Sequence, residues 1–200
     1  MKTGLFRPLP YIFRAYLSLV AATGSLAIVH ENRIRTNTML GYWHGDSCCM
    51  QLVLRKIAKK QDRLHVIVTA DKRGDVIEKM ITPYKAKALR LPDGLKMRPF
   101  FKELLTFAKT EEGILAAALD GPLGPRHEPK RLLFLLASEA QKPVICVHFQ
   151  YKRIIRLKRR WDQYVIPLPF CKITAVIEEL GTITKADLKH FDRLSDRYSV

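Results

Sequence analysis

Short apolar runs alternate with segments of helical periodicity along most of the chain. Residues 64–70 (LHVIVTA) and 143–149 (PVICVHF) are continuous apolar runs rich in β-branched residues, which is typical of buried strands. Between such runs, apolar residues recur at helical spacing, as at Met50, Val53 and Leu54, while lysine and arginine occupy other positions. The pattern therefore predicts strands that alternate with amphipathic helices.

This alternation indicates the fold class. The predicted strands cover residues 38–43, 64–70, 85–91, 113–120, 143–149 and 172–180. The predicted helices cover residues 75–84, 98–110, 129–141 and 185–198, and a further helix begins near residue 46. Parallel strands are joined by crossover helices, so we expect a single α/β domain over residues 38–200, with a mostly parallel central sheet flanked by helices. Ligands in such folds bind at the carboxyl ends of the strands.

Residues 1–37 have a different pattern. Their longest unbroken run of apolar and small residues, 17–29, is shorter than the roughly 20 residues that a membrane-spanning helix requires, and Arg14 precedes it. We expect an N-terminal apolar, membrane-associating helix followed by a connector, with the helix lying on a membrane or against the domain. A single membrane anchor and a cleaved signal peptide are the alternatives, although no clear small-x-small site precedes Glu31.

The charge of the chain adds an expectation about partners. Its 200 residues include 35 Lys and Arg against 19 Asp and Glu, a formal net charge of +16, so an anionic partner is expected. Charge alone does not choose among nucleic acid, anionic lipid and an acidic carrier protein. Six cations interleaved with apolar residues precede Trp161, which suits a lipid surface or a nucleic-acid backbone. They are Lys152, Arg153, Arg156, Lys158, Arg159 and Arg160.

Two predicted strand ends carry candidate catalytic groups. His44 and Asp46 follow the strand at 38–43, and Asp120 ends the strand at 113–120. A neutral imidazole can take a proton from a hydroxyl near pH 7, and a carboxylate on its other nitrogen fixes the tautomer. Asp46 is also suited to cap the helix that follows it. The residues leave open whether Asp46, Asp120 or neither supports His44.

Four segments resemble, as a set, one protein family. They are YWHGD (42–46), LDGPLGPRHEPK (119–130), LASEAQKPVICV (136–147) and RRWDQYVIPLPF (159–170). Together they resemble the DUF374 branch of the lysophospholipid acyltransferase superfamily, which is related more distantly to the glycerolphosphate acyltransferases. The order and approximate spacing of the segments agree over residues 40–180.

The resemblance implies a glycerolphosphate-acyltransferase-like fold and a specific reaction. A fatty acyl group would move from a thioester, acyl-CoA or acyl carrier protein, to a hydroxyl of a lysophospholipid-like or glycerol-phosphate-like acceptor. His44 would be the base, and no metal or bound cofactor would be needed. Arg90, Gly121, Arg126 and Trp161 take the positions expected to bind substrate. With the charge, the resemblance predicts a protein at the cytoplasmic face of an anionic membrane, with no nucleic acid as partner.

Two positions differ from the superfamily pattern and motivate alternatives. Cys49 stands five residues after His44, where the superfamily has aspartate, and Leu91 follows Arg90, where the family has glycine. A family member that binds lipid at the membrane surface but has lost catalysis is therefore one alternative. A basic nucleic-acid-binding protein, suggested only by the charge of the chain, is a second. In a third, Cys48 or Cys49 is an acyl-bearing nucleophile, although the cysteine spacing otherwise indicates free thiols.

Overall fold

The computed structural model describes residues 8–61, 63–92 and 97–198, which form seven strands and seven helices. The strands are β1 (Ser25–Val29), β2 (Met39–Tyr42), β3 (Leu64–Thr69), β4 (Lys87–Leu91), β5 (Ile114–Ala118), β6 (Pro143–Arg156) and β7 (Val165–Thr182). The helices are α1 (Leu9–Thr23), α2 (Ser47–Ile57), α3 (Lys72–Ile81), α4 (Met97–Thr110), α5 (Arg131–Ala140), α6 (Lys185–Lys189) and α7 (Phe191–Tyr198).

All seven strands belong to one sheet, in the order β1-β7-β6-β2-β5-β3-β4. Strands β6, β2, β5, β3 and β4 are parallel to one another, whereas β7 is antiparallel to β6 and parallel to β1. The expectation of an α/β domain with a mostly parallel central sheet is confirmed. Because β2 and β5 are adjacent and parallel, the loops that follow them lie at the same edge of the sheet.

Helices cover both faces of the sheet because the strands direct apolar side chains alternately into two cores. In β2, Met39 belongs to the core shared with α4 and α5, whereas Leu40 belongs to the core shared with α2. In β5, Leu115 and Ala116 are divided between the two cores in the same way. This alternation is the period-two pattern that a strand buried on both faces requires.

Residues 25–29 form an edge strand, although the sequence placed them in an N-terminal helix and connector. Strand β1 pairs with β7 from Ser25 opposite Lys172 to Val29 opposite Val176. Helix α1 ends at Thr23 and packs its buried side against β7 and the start of α2. Within the described ranges, no helix combines the length and apolar character that crossing a membrane demands.

Two helix boundaries differ from the predicted ones. Helix α3 begins at Lys72 rather than residue 75, because the Asp71 side chain accepts hydrogen bonds from the backbone N–H groups of Arg73 and Gly74 and so caps the helix. The single helix predicted over residues 185–198 is divided into α6 and α7 at His190.

Strands β6 and β7 form a hairpin longer than the sequence predicted. Val147 pairs with Tyr42 at the end of β2, and β6 continues to Arg156, so a straight hairpin would end roughly 30 Å beyond β2. A register shift at Arg153 (φ 62°) and a left-handed backbone at Phe170 (φ 61°) bend it instead. The hairpin curves back over the carboxyl end of β2.

Candidate active site

Three loops meet at the carboxyl ends of β2 and β5. Residues 43–46 connect β2 to α2, residues 119–127 follow β5, and residues 157–164 join β6 to β7. The curvature of the hairpin places the third loop over the first two. A hydrogen bond between side chains of residues 44 and 162 joins the first loop to the third.

His44 begins the turn that leads from β2 into α2. Its Nδ1 atom lies 2.8 Å from Oδ2 of Asp162. The Asp162 side chain is 0% exposed, whereas the His44 side chain is 25% exposed. A carboxylate at Nδ1 favours the tautomer with its proton on that nitrogen, which leaves the lone pair of the neutral ring on Nε2. His44 is therefore oriented as a base whose accepting atom is Nε2.

Arg160 and Tyr164 fix the Asp162 carboxylate. The Nε and Nη2 atoms of Arg160 donate to Oδ1 and Oδ2 at 2.9 and 2.8 Å, and the backbone N–H of Tyr164 donates to Oδ1 at 3.3 Å. Burial raises the pKa of Asp162, but the hydrogen bonds and charges of Arg160 and His44 outweigh burial and lower that pKa to about 2. Asp162 is therefore an oriented anion at neutral pH.

Two glycines let the third loop approach the other two. A Cβ atom at Gly45 would lie 2.2 Å from the carbonyl oxygen of Asp162, and one at Gly124 (φ 69°) would lie 2.5 Å from the ring of Trp161. Any side chain at these positions would displace the loop. The Trp161 ring is also 5.3 Å, centroid to centroid, from the His44 ring. The WHG, GPLGP and WD segments thus contact one another.

Asp120, one of the two carboxylates predicted to support the imidazole, binds backbone groups instead. It is fully buried, and its Oδ1 accepts from the backbone N–H of His44 at 2.8 Å. Its Oδ2 accepts from the backbone N–H of His127 at 3.4 Å. Burial raises the pKa of Asp120, and these hydrogen bonds oppose the rise. Asp120 ties the turn at His44 to the loop after β5.

The side chain of Asp46, the other predicted carboxylate, forms a hydrogen bond neither with His44 Nδ1 nor with the backbone at the start of α2. Asp46 occupies the N-cap position of α2, but its side chain accepts no hydrogen bond there. Its Oδ1 accepts instead from the Tyr151 hydroxyl. Burial raises the pKa of Asp46, and this hydrogen bond opposes the rise. The prediction that Asp46 or Asp120 would support His44 Nδ1 is therefore corrected, because Asp162 occupies that position.

Three of the four residues predicted to bind substrate lie at or beside this site. Trp161 contacts the His44 ring, and Gly121 (φ 64°) and Arg126 belong to the loop after β5. The Nε atom of Arg126 is buried and has no hydrogen-bond partner within the part of the chain that the structure describes. The positive charge of Arg126 lowers the pKa of Asp46. Arg126 is thus a cation close to the His44 turn.

Arg90, the fourth residue, lies elsewhere. It belongs to β4, three strands from β2 and so roughly 14 Å away in the plane of the sheet. Its Nη2 pairs with Asp75, its Nε lies 3.7 Å from Oε2 of Glu78, and its Nη1 donates to the Thr69 carbonyl at 3.4 Å. The structure does not bring Arg90 together with the other predicted residues.

The cysteines that begin α2 are buried in the core. Cys48 and Cys49 are both 0% exposed. Burial raises the pKa of Cys48 to about 12 and also raises that of Cys49. Since the thiolate is the nucleophile, thiols held neutral and covered are unsuited to carry an acyl group. The geometry gives the cysteine alternative no support.

Comparisons with known proteins return no relative. The chain matches no family model, no curated protein and no solved structure. Among the described residues, no group of three or more His, Cys, Asp and Glu side chains is placed to hold a metal ion.

Asp162 and Arg160 are the site residues that sequence reasoning missed. Asp162 is 118 positions away from His44, a separation that gives no indication of contact. The available signal was its place in RRWDQYVIPLPF, where it is the lone carboxylate in a basic segment and directly follows Trp161. Arg160 was counted only as one cation of that segment.

Proposed function

We propose that this protein is an acyltransferase that moves a fatty acyl group from a thioester, acyl-CoA or acyl carrier protein, to a hydroxyl group. The observation that carries the proposal is the 2.8 Å contact between His44 Nδ1 and the buried Asp162 carboxylate. A histidine held in this way is the general base of many reactions that activate a hydroxyl. The reaction type comes from the resemblance of the four segments to lysophospholipid acyltransferases, whose fold we propose for this α/β domain.

The mechanism uses His44 first as base and then as acid. Nε2 accepts the proton of the acceptor hydroxyl while its oxygen attacks the thioester carbonyl and a C–O bond forms. The tetrahedral intermediate then expels the thiolate as the C–S bond breaks, and the imidazolium returns the proton to that sulfur. Asp162 stabilises the imidazolium between the two steps, and Arg160 keeps Asp162 ionised and in place.

We propose a lysophospholipid-like or glycerol-phosphate-like acceptor, because Arg126 supplies a cation with a buried Nε atom near His44. The net charge of +16 and the basic hairpin support a peripheral position at the cytoplasmic face of an anionic membrane. We propose Trp161 and Gly121 as further contacts of the substrate. Arg90, engaged by Asp75 and Glu78, is not among the substrate contacts that we propose.

The proposal is tested with purified protein, a labelled acyl thioester on coenzyme A or on acyl carrier protein, and a panel of lysolipids and glycerol phosphate. We expect acyl transfer above the blank, reduced about 10³-fold or more in His44→Ala. His190→Ala, which removes an exposed histidine between α6 and α7, is the matched control and should retain the wild-type rate. Full activity in His44→Ala would refute the mechanism, and a folded wild-type protein without turnover would favour the non-catalytic, lipid-binding alternative.

A further inference from the structure

Exposed apolar side chains lie on three segments, two of which form loops that contact His44 or Trp161. They come from the first turns of α1, from the loop after β5 and from the tip of the hairpin. We call this surface the rim. Its exposed apolar members are Leu9, Tyr11, Ile12, Leu123, Ile155 and Leu157, and Leu123 is 85% exposed.

Cations are interleaved with these apolar residues. Lys152, Arg153, Lys158 and Arg159 lie on the hairpin and are all exposed. No ion pair joins these four side chains to a carboxylate within residues 8–61, 63–92 and 97–198. By contrast, Arg160 in the same loop is engaged by Asp162. The rim therefore presents positive charges that the protein leaves uncompensated.

Contacts between α1 and β7 bring the start of α1 close to the hairpin tip. The Tyr16 hydroxyl donates to the Pro167 carbonyl at 2.7 Å, and Thr23 Oγ1 accepts from the Phe170 N–H at 3.2 Å. Helix α1 and β7 therefore run in the same direction, so the N-terminal turns of α1 lie beside the hairpin tip. Phe13 packs in the same apolar cluster as the hairpin residues near that tip.

The loop after β5 joins the rim through Trp161. Gly124 contacts the Trp161 ring, and Leu123 precedes it with 85% of its surface exposed. Trp161 itself is 38% exposed and lies against His44. Leu123 and Trp161 therefore bring the rim next to His44.

We infer that the rim docks on an anionic lipid bilayer, with Leu123, Trp161 and the hairpin tip entering the interfacial layer. The uncompensated cations match anionic headgroups, and the exposed Leu, Ile and Tyr side chains gain an apolar environment only if the partner has one. A nucleic-acid backbone would satisfy the charges but would leave these aliphatic side chains in water. The chemistry of the rim thus favours lipid.

This orientation deepens the proposed function and rests on it in one respect. If His44 is the base, docking by the rim turns the exposed part of the His44 side chain toward the lipid layer. A lipid acceptor can then reach Nε2 without leaving the bilayer. The binding of the rim to lipid does not itself require catalysis, so the two can be tested separately.

The first experiment uses tryptophan fluorescence with vesicles that contain phosphatidylglycerol and lipids brominated in the acyl chain. Trp161 is 38% exposed at the rim, whereas Trp43 is 3% exposed in the core. We expect brominated lipid to quench part of the emission of the wild-type protein and little of the emission of Trp161→Phe. Equal quenching in the two proteins, or bound protein without quenching, would mean that another face docks.

The second experiment separates a docked face from general charge attraction. Lys158→Glu/Arg159→Glu should weaken vesicle binding, measured by sedimentation, about 10-fold or more. Each basic residue near an anionic surface strengthens binding several-fold, and the variant removes two of them. Lys59→Glu/Lys87→Glu makes the same change in net charge at exposed positions near the amino ends of the strands. We expect this control to lose less vesicle binding than Lys158→Glu/Arg159→Glu does. Equal losses in the two double variants would overturn the inference.

Activity distinguishes this inference from the proposed function. Leu123→Ser should weaken binding to phosphatidylglycerol vesicles while leaving the rate with a water-soluble, short-chain acceptor unchanged. A wild-type protein that shows the expected quenching and charge dependence but transfers no acyl group would retain the docking face and refute the acyltransferase. A wild-type protein that transfers acyl groups but does not bind these vesicles would support the acyltransferase and refute the docking face.

Discussion

Two clusters of arginine with carboxylates lie near the carboxyl edge of the sheet, and they differ in burial. Around Arg90, the partners Asp75 and Glu78 are 53% and 45% exposed. Around Arg160, the partner Asp162 is 0% exposed and also binds His44. Exposed ion pairs contribute little because water screens them, whereas a buried carboxylate must keep its partners. Only the second cluster can therefore fix the orientation of the His44 imidazole.

In both clusters, a residue expected from its motif to contact substrate lies in a segment that also makes contacts within the protein. Arg90 was expected to bind substrate, yet its guanidinium is bound within the protein. The segment at Asp162 was expected to supply Trp161 as a substrate contact, yet it also supplies the carboxylate of the His44 pair.

The largest expected difference between the clusters is in catalysis. Asp162→Asn should lower kcat for acyl transfer by about 10³ to 10⁴-fold, because an amide cannot stabilise the imidazolium as a carboxylate does and need not select the same tautomer. Asp75→Asn, the equivalent change in the Arg90 cluster, should leave kcat within about twofold of wild type. Steady-state rates of the two variants check this, and similar losses in both would remove the distinction between the clusters.

The next effect is on stability and its dependence on pH. The folded pKa of Asp162 is lowered to about 2, below the roughly 3.9 of an unfolded chain, so its ionisation favours folding by about 2 kcal/mol above pH ~4. This contribution is lost as the pH falls from about 4 to about 2. The free energy of unfolding of Asp162→Asn, measured by urea denaturation, should therefore approach that of wild type over this interval.

Asp46→Asn is the control for the sign of that dependence. Burial raises the pKa of Asp46, so its ionisation opposes folding and its protonation at low pH favours the folded protein. The difference in free energy of unfolding between Asp46→Asn and wild type should change with pH in the direction opposite to the difference for Asp162→Asn. Curves that move in the same direction would contradict the assignment of opposite environments to the two carboxylates.

A smaller effect should appear in substrate affinity. Arg126→Gln should raise KM for a phosphate-bearing acceptor about 10-fold, because a charged hydrogen bond contributes roughly 1.5 to 3 kcal/mol. Arg90→Gln should change the same KM less than about twofold, since its guanidinium already pairs with Asp75 and Glu78. Initial rates over a range of acceptor concentrations decide between them, and the reverse ranking would favour Arg90 over Arg126 as the substrate contact.

The sequence predicted the central part of the fold because period-two and helical patterns are local. The strand at residues 64–70 and the helix at 98–110 match β3 and α4 closely. The hairpin beyond residue 149 was missed because basic side chains interrupt its apolar pattern, and strand β1 was missed because its small and apolar residues continue the composition of α1.

For the site, the sequence singled out His44 and offered Asp46 and Asp120 as its candidate partners, but the carboxylate at its Nδ1 is Asp162. Asp46 and Asp120 were plausible because they lie near strand ends, and both do reach the neighbourhood of His44. Asp162 could not be placed from local pattern, because its position depends on the bend of the hairpin at Arg153 and Phe170. Such a bend arises from long-range packing rather than from the neighbouring residues alone.

The separation of 118 residues between His44 and Asp162 also has a consequence for the order of events during synthesis. At about 5 to 20 residues per second, roughly 6 to 24 seconds pass between the addition of the two residues to the chain. Until the hairpin closes, the imidazole has no carboxylate, so the nascent protein cannot perform acyl transfer by this mechanism. Under the proposed mechanism, acyl transfer would therefore require the hairpin to be folded. A chain released before residue 162 would transfer no acyl group to any lipid in this way.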